Sequence, residues 1–533
     1  MILRCPGTQH LRTGFCGFKS RLTIHKDSHR FYDLCIQDRE DFSLENTTVV
    51  IHRMLTIFLR NVANVRQRTS IRFGNLEAGI GVISRKLSIT SQQCCNQLPH
   101  LSPYDVNLML RENEFVYTFT DDKSTILSYE SNQLASNSPC EDTRTEASFN
   151  HKSGFICGIF DGHAGPACSQ VISKRLLRYI AASLVDRKVL KEEIAKGCNS
   201  QSFLKCHNDK VDFVKEIKDI YEESFAKYIN TISSRSATDR TQAIEDAFML
   251  LDKDMSDEAL NKTSMMTMAV AMSGAVCAVA HIEDLDLHLA STGDCTAVLG
   301  SLCPETGQWT TKKLNNEHNT DNLQEVQRIL SEHPKEEHET AIRNDRLLGQ
   351  LAPLRALGDF RYKWSNEIMN KYVVPLFGDH FVPPNYHTPP YLTARPDIHH
   401  HRLSVNDKFL VIGSDGLWDF LSPTQVVKLV AEHLNSKRIM EPIKLPENDV
   451  TLQAISEMLA ERKAGRKRKP LDQNSATHLI RHALGGTDYG VEHSKISYYL
   501  SLPQDAVRYY RDDITITVIY FNTDRIKSLS SNS

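Results

Sequence analysis

The sequence of 533 residues lacks a cysteine framework. Its 13 cysteines are an odd number, end at Cys303 and follow no regular spacing; no CxxC occurs, and Cys94-Cys95 is the one close pair. A disulfide scaffold or a thiolate zinc site is therefore disfavoured, and a reducing compartment fits better. An excess of one charge is lacking too: 63 Lys and Arg face 66 Asp and Glu, a net of −3, which gives no case for nucleic acid. No internal repeat of fixed period is found, so a solenoid or propeller is not indicated. The longest uncharged stretch, Thr263 to Ile282, could span a bilayer by length. It is rich in Ser, Thr, Gly and Ala and carries His281 near its end; it reads as buried β-structure, not as a membrane span.

Acids are scarce at the start. The first thirty residues hold Arg4, Arg12, Lys19, Arg21, Lys26 and Arg30 against Asp27 alone, and no acid occurs from Asn46 to Leu76 while Arg53, Arg60, Arg66, Arg68 and Arg72 recur. Such composition resembles a mitochondrial presequence, and a chain starting at Met54 would carry the more convincing one; a disordered basic tail is the rival. Residues 1–100 are thus expected to be targeting segment and linker, 101–525 one domain with insertions, and 526–533 a tail.

What is present reads as mixed elements. Ser102 and Pro103 open a short helix with Val106, Leu108 and Leu110. GFICGIFDGHAG (154–165) is a buried strand ending in a Gly-rich turn, followed by a helix over ACSQVISKRLLRYIAASLV; Ala243–Leu260 is a further helix. MAVAMSGAVCAVAHI and LDLHLASTGDCTAVLG read as neighbouring antiparallel strands parted by Glu283-Asp284. DKFLVIGSDGLWDFL is a strand entering a turn, PTQVVKLVAEHL a helix, and DDITITVIYF a closing strand. Polar segments near 120–150, 190–240, 315–345 and 435–475 read as loops or insertions. Without regular βαβ alternation, an α+β layered domain is expected.

Acids recur where strands end: Glu141-Asp142, Asp161, Asp294, Asp415 and Asp512-Asp513. Each alone is more often a plain turn. A carboxylate after an apolar strand is costly to bury unless paired or bound to metal. Several converging acids suit hard cations such as Mg²⁺ and Mn²⁺, which prefer oxygen ligands.

CED at 140–142, FDGHAG at 160–165, STGD at 291–294, LRALGDF at 354–360, SDGLWD at 414–419 and RDDIT at 511–515 occur in that order. They resemble the successive motifs of the metal-dependent protein phosphatase (type 2C) family, over roughly residues 105–525. SNQLASNSPCED, FDGHAGPACSQ, FVPPNYHTPPYLTARP, NSATHLIRHALG and YYRDDITITVIYF are similar to its pyruvate dehydrogenase phosphatase branch. The resemblance implies a central β-sandwich of two antiparallel sheets flanked by helices, with two Mg²⁺ or Mn²⁺ ions at one end. It implies that Asp161 bridges both ions with the Gly162 carbonyl assisting. Asp142, Asp415 and Asp512 then complete the shell, Glu141 pairs with Asp142, Asp294 serves a third position, and His163 is the general acid. Two cations neutralise the phosphoryl oxygens and acidify a shared water; no Cys-x5-Arg loop is present, so a phosphocysteine route has no support.

Asn137 stands where the family commonly has a phosphate-binding arginine, so Asn137 itself or Arg144 is the expected phosphate contact. Cys295-Thr296 replaces the usual GDSR ending, and Arg395 replaces an acid of the branch. The branch implies phosphoserine on the pyruvate dehydrogenase E1 component as substrate, a lipoyl domain as docking partner, a regulatory subunit, and the mitochondrial matrix as location. Rival readings are a phosphatase of another mitochondrial protein, such as branched-chain dehydrogenase, or a catalytically dead scaffold. His399-His400-His401 reads as a surface run, Trp418 as packing, RKAGRKRKP (462–470) as a solvated loop, and DKDMSDEAL (252–260) fails as a calcium loop because Asp257 occupies the glycine position.

Overall fold

Polar-apolar alternation is nearly absent from the central strands. Gly274–Glu283 and Ile514–Phe521 are buried at almost every position, so each must be covered on both faces. A computed structural model of the chain describes residues 100–531 except 122, 209–211, 236–238, 263, 441–450 and 467–469; the expected targeting segment and the Met54 start lie outside the described residues. In chain order the main strands are β1 (Phe115–Thr118), β2 (Ile126–Leu134), β3 (Thr143–Phe149), β4 (Phe155–His163), β5 (Leu204–Cys206), β6 (Gly274–Glu283), β7 (Asp286–Thr292), β8 (Thr296–Leu302), β9 (Trp309–Lys313), β10 (Asp397–Arg402), β11 (Asp407–Gly413) and β12 (Ile514–Phe521). The helices used below are α1 (Pro103–Arg111), α2 (Ala167–Leu184), α3 (Lys215–Ser234), α4 (Arg240–Lys262), α5 (Met265–Met272), α6 (Pro423–Met440) and α7 (Ser475–Gly485).

One sheet runs β1-β2-β12-β11-β8-β9 and the other β10-β7-β6-β4-β3-β5, with Leu357–Gly358 pairing to β6. These pairings are antiparallel. Alternate residues of the first sheet serve two cores. Leu410, Ile412 and Ile519 pack with β4 and β6 residues such as Ile159 and Val279. Val411, Ile516 and Val518 pack with Val426, Val430, Leu479 and Ile480 of α6 and α7. The helix α2 covers the other sheet, and α4 packs on α2 and on the Leu357–Gly358 segment. The expected α+β sandwich of two antiparallel sheets flanked by helices is what the chain forms.

Two expectations are corrected. Thr263–Ile282 is not all β: Met265–Met272 is helical, with the Ser264 hydroxyl accepting from the Met266 N–H. Met and Ala favour a helix there, and the strand begins only at Gly274. LDLHLASTGDCTAVLG is two strands in different sheets, β7 and β8, with Gly293-Asp294-Cys295 crossing between them. The polar segments also hold elements. β2 and β3 lie within 120–150, α3 within 190–240, and helices Leu323–Glu332 and Leu452–Arg466 within the other two, the last taking in part of RKAGRKRKP. β2 tolerates Glu130 and Asn132 because both have partners: the Glu130 carboxylate accepts the Ser475 N–H at 2.6 Å, and the Asn132 amide donates to the Leu110 carbonyl at 2.7 Å.

Register brings the acidic strand ends together. Gly413, just before Asp415, pairs with Thr296 of β8 and Ile516 of β12. Ile514, just after Asp512-Asp513, pairs with Leu134. In the other sheet Thr143, just after Asp142, pairs with Phe160, beside Asp161.

Candidate active site

β4 carries its apolar run to Phe160 and then places Asp161, Gly162 and His163 at the sandwich edge. Burial, and then the charges of Asp142, Asp415, Asp294 and Asp512, hold the Asp161 carboxyl well above the usual carboxylate range. Asp142 is pushed up to about 8 by burial and Asp513, although the Ser414 hydroxyl donates to it at 2.8 Å. Asp415 is raised by burial and then by Asp294, Asp512, Asp419 and Asp142. Burial raises Asp294 despite its own backbone N–H and His163. Five of the sequence-derived acids therefore feel one another, as a shared site demands. Asp415 Oδ1 and Glu141 Oε2 are buried without a hydrogen-bond partner.

Such an edge is short of positive charge. Its donors are all oxygen, the set that suits Mg²⁺ or Mn²⁺. Among the described residues no three His, Cys, Asp or Glu side chains form a ready-made ligand cluster; ions that keep several waters in their shells do not need one. Backbone fits as well: a Cβ at Gly162 would lie 2.4 Å from the Glu141 carbonyl oxygen, so only glycine lets β4 approach the Glu141-Asp142 segment.

Asp513, adjacent to Asp512, has a separate task. Its carboxylate accepts from the Ser136 N–H, the Asn137 N–H at 2.8 Å, the Asn137 amide at 3.1 Å and the Glu141 N–H at 2.8 Å. It pins the loop that delivers Glu141 and Asp142. Asp513→Ala is expected to destabilise the protein in chelator by about 3–5 kcal/mol, since several buried donors lose their acceptor. Urea unfolding checks this; a loss below about 1 kcal/mol would contradict the clamp.

His163 meets a residue that sequence reasoning passed over. Its Nε2 lies 2.5 Å from Asp359 Oδ2. Burial lowers the imidazole pKa, but the charge and hydrogen bond of Asp359 outweigh it and the net shift is upward. Asp359 adopts φ 51° and follows Gly358 at φ 72°; a Cβ at Gly274 would stand 2.0 Å from its carboxylate. The LRALGDF motif was the available signal.

The two expected phosphate contacts part company. Asn137 reaches the site, its amide 3.4 Å from Asp512 Oδ1. Arg144 does not: its guanidinium is held by Glu146 at 2.5 Å, with 5% of the side chain exposed. Arg144 and Glu146 are two apart on one strand and so share a face. Cys295 is buried and its thiol is pushed up by burial, while Arg395 pairs with Glu245 at 2.9 Å. His400 and His401 take the separate acids Asp286 and Asp407, and Trp418 donates to the Gly413 carbonyl.

The sequence model of protein phosphatase 2C matches residues 197–464. Pyruvate dehydrogenase (acetyl-transferring) phosphatase 1, mitochondrial, of Rattus norvegicus is 41% identical over 451 residues, spanning 80% of this chain and 84% of the relative. Phosphatase 2 of the same name from Homo sapiens is 39% identical over 452 residues, with the same coverage. The phosphatase 1 of Saccharomyces cerevisiae is 32% identical, covering 76% of this chain and 71% of its own. An edge of buried, mutually repelling carboxylates that calls for divalent cations, and likeness running over most of the length of these enzymes, lead to one conclusion: the chain belongs to the protein phosphatase 2C family of metal-dependent protein serine/threonine phosphatases.

Proposed function

We propose that this phosphatase removes phosphate from phosphoserine on the E1 component of pyruvate dehydrogenase in the mitochondrial matrix, and so activates the complex. The observation that carries the reading is the long similarity to enzymes whose names give pyruvate dehydrogenase and the mitochondrion. The NYHTPPYLTA stretch supports it by its similarity to that branch, and it is built into the fold. The Tyr386 hydroxyl donates to the Trp364 carbonyl at 2.7 Å, and Tyr391 stacks on His333 at 4.1 Å. A lipoyl domain as docking partner and a regulatory subunit belong to the same proposal.

Asp161, the Gly162 carbonyl, Asp142, Asp415 and Asp512 would hold two Mg²⁺ or Mn²⁺ ions. Asp294 would serve a third, and Glu141, paired with Asp142, is a further candidate ligand. When bound, such ions neutralise phosphoryl oxygens and lower the pKa of a water. The chain's own groups do the rest. Asp513 holds the loop of Asp142 in register. The Ser414 hydroxyl orients the Asp142 carboxylate. Asp359 occupies His163 Nε2, which leaves Nδ1 to hand a proton to the departing serine oxygen.

The test is release of phosphate from phosphorylated E1 in the intact complex, from free E1 and from a generic phosphopeptide, with Mn²⁺ or chelator. The complex-bound substrate is expected to be fastest, because docking raises its local concentration. Equal rates on all three, or a preference for branched-chain dehydrogenase, would remove the substrate assignment and leave the phosphatase activity standing.

A further inference from the structure

We infer that Arg508 grips the phosphate of the substrate. The inference rests on the reading above, that the acid edge is where the ester is cleaved. A phosphate dianion is best matched by a guanidinium, whose planar fork donates two parallel hydrogen bonds. Asn137 offers no such group, and its amide is turned to Asp512 and Asp513.

Among the described residues four arginines stand on the segments that build this edge. Arg355, on the segment of Asp359, is committed to Glu325 and Asp397. Arg144 is committed to Glu146 and lies over the Phe115 ring at 5.9 Å. Arg511 is buried and donates to the Ala135 carbonyl at 2.7 Å. Arg508 differs from these three: its side chain is 57% exposed, and it faces Glu141 Oε2 at 3.5 Å. That distance is too long for a good charged hydrogen bond, and Glu141 Oε2 has no hydrogen-bond partner although it is buried. The guanidinium is therefore exposed beside the acid edge, paired with Glu141 by charge but not by a close hydrogen bond.

Its position is set from two sides. Arg508 lies on the one-turn helix Val507–Tyr509, four residues before Asp512. Glu141 spends its other oxygen, Oε1, on the Gly165 N–H at 2.7 Å, in the turn that follows Asp161 and His163. Glu141 is thus a positioning residue that ties Arg508 to the turn carrying the reacting groups. Tyr509 and Tyr510 are exposed beside it, and the Tyr510 ring stands 6.0 Å from Tyr498. That aromatic surface suits a polypeptide on either side of the phosphoserine better than a small ester.

Inorganic phosphate, the product, is the direct probe. In the full chain with Mn²⁺, Arg508→Ala is expected to raise the inhibition constant of inorganic phosphate and the KM for a phosphoserine peptide by about tenfold to a hundredfold. Arg508→Lys should recover part of that loss, because a point charge lacks the fork. The Mn²⁺ concentration for half activation and the thermal midpoint should stay at wild-type values. A folded Arg508→Ala protein with both constants within about twofold of wild type would overturn the inference, since a gripping contact is worth more than that. So would a loss confined to the Mn²⁺ requirement, or a higher KM with an unchanged phosphate constant. If Asp161→Asn keeps its activity, the acid edge itself is misassigned. If Asp161→Asn is inactive and Arg508→Ala is unaffected, this inference alone falls.

Discussion

Asp161→Asn is expected to abolish turnover, by about a thousandfold or more, and at the same time to stabilise the protein in chelator. The first half follows from the loss of the anionic oxygen placed among all the other acids, since a neutral amide is a poor ligand for hard cations. The second half follows from repulsion. Asp142, Asp415, Asp294 and Asp512 all push the Asp161 carboxyl upward, and a neutral side chain relieves them. Added Mn²⁺ should then raise the thermal midpoint of the wild type and raise that of the variant much less. The pH dependence has a definite sign. Carboxyls raised in the folded state bind protons more tightly there than in the unfolded chain, so stability falls as pH rises. In chelator the wild type should weaken from the ordinary carboxylate range upward, with the contribution of Asp142 complete only above its folded value of about 8. Asp161→Asn should flatten that slope, and Mn²⁺ should reverse it. Near-normal Mn²⁺-dependent activity in a folded variant, or an unchanged slope, would refute the shared acidic site.

The acids themselves were legible because an Asp at the end of an apolar strand is anomalous, and several such anomalies in one chain point to one end of a sandwich. Their division of labour was not. Asp512 and Asp513 are neighbours with the same chemistry, and only the loop from Ser136 to Asp142 closing on Asp513 separates ligand candidate from clamp. Asp359 escaped because its meeting with His163, 196 positions away in sequence, depends on a left-handed backbone and on the missing side chain of Gly274. Arg144 misled because closeness in sequence to Asp142 says nothing of direction. The side chain follows the strand pleat toward Glu146, whereas Arg508, more than 360 positions away, arrives beside Glu141. The Met265–Met272 helix was missed for a related reason: apolar residues occupy its exposed positions, Met265 and Met266 among them, as well as its buried ones, so the sequence has no periodicity to read; length and capping decide, and Ser264 supplies the cap.

His163→Gln is expected to slow hydrolysis of alkyl phosphate esters by about 10²–10⁴-fold and of aryl esters far less. A serine alkoxide is a poor leaving group and needs a proton as the bond to phosphorus breaks; a nitrophenolate leaves without one. Glutamine keeps a polar side chain of similar reach but has no acidic proton to give. The contact with Asp359 sharpens the expectation. Because Nε2 is engaged at 2.5 Å, the ring is fixed in orientation and the deliverable proton sits on Nδ1. Asp359→Asn should therefore give the same selective loss on phosphoserine peptide in milder form, since an amide can still orient the ring but supplies no charge to hold the imidazolium. Measured side by side, phosphoserine peptide and p-nitrophenyl phosphate separate this from a general distortion of the site, which would depress both. Equal losses on the two substrates in either variant would strip His163 of the acid role and reduce the His163–Asp359 pair to a brace between β4 and the Leu357–Gly358 segment.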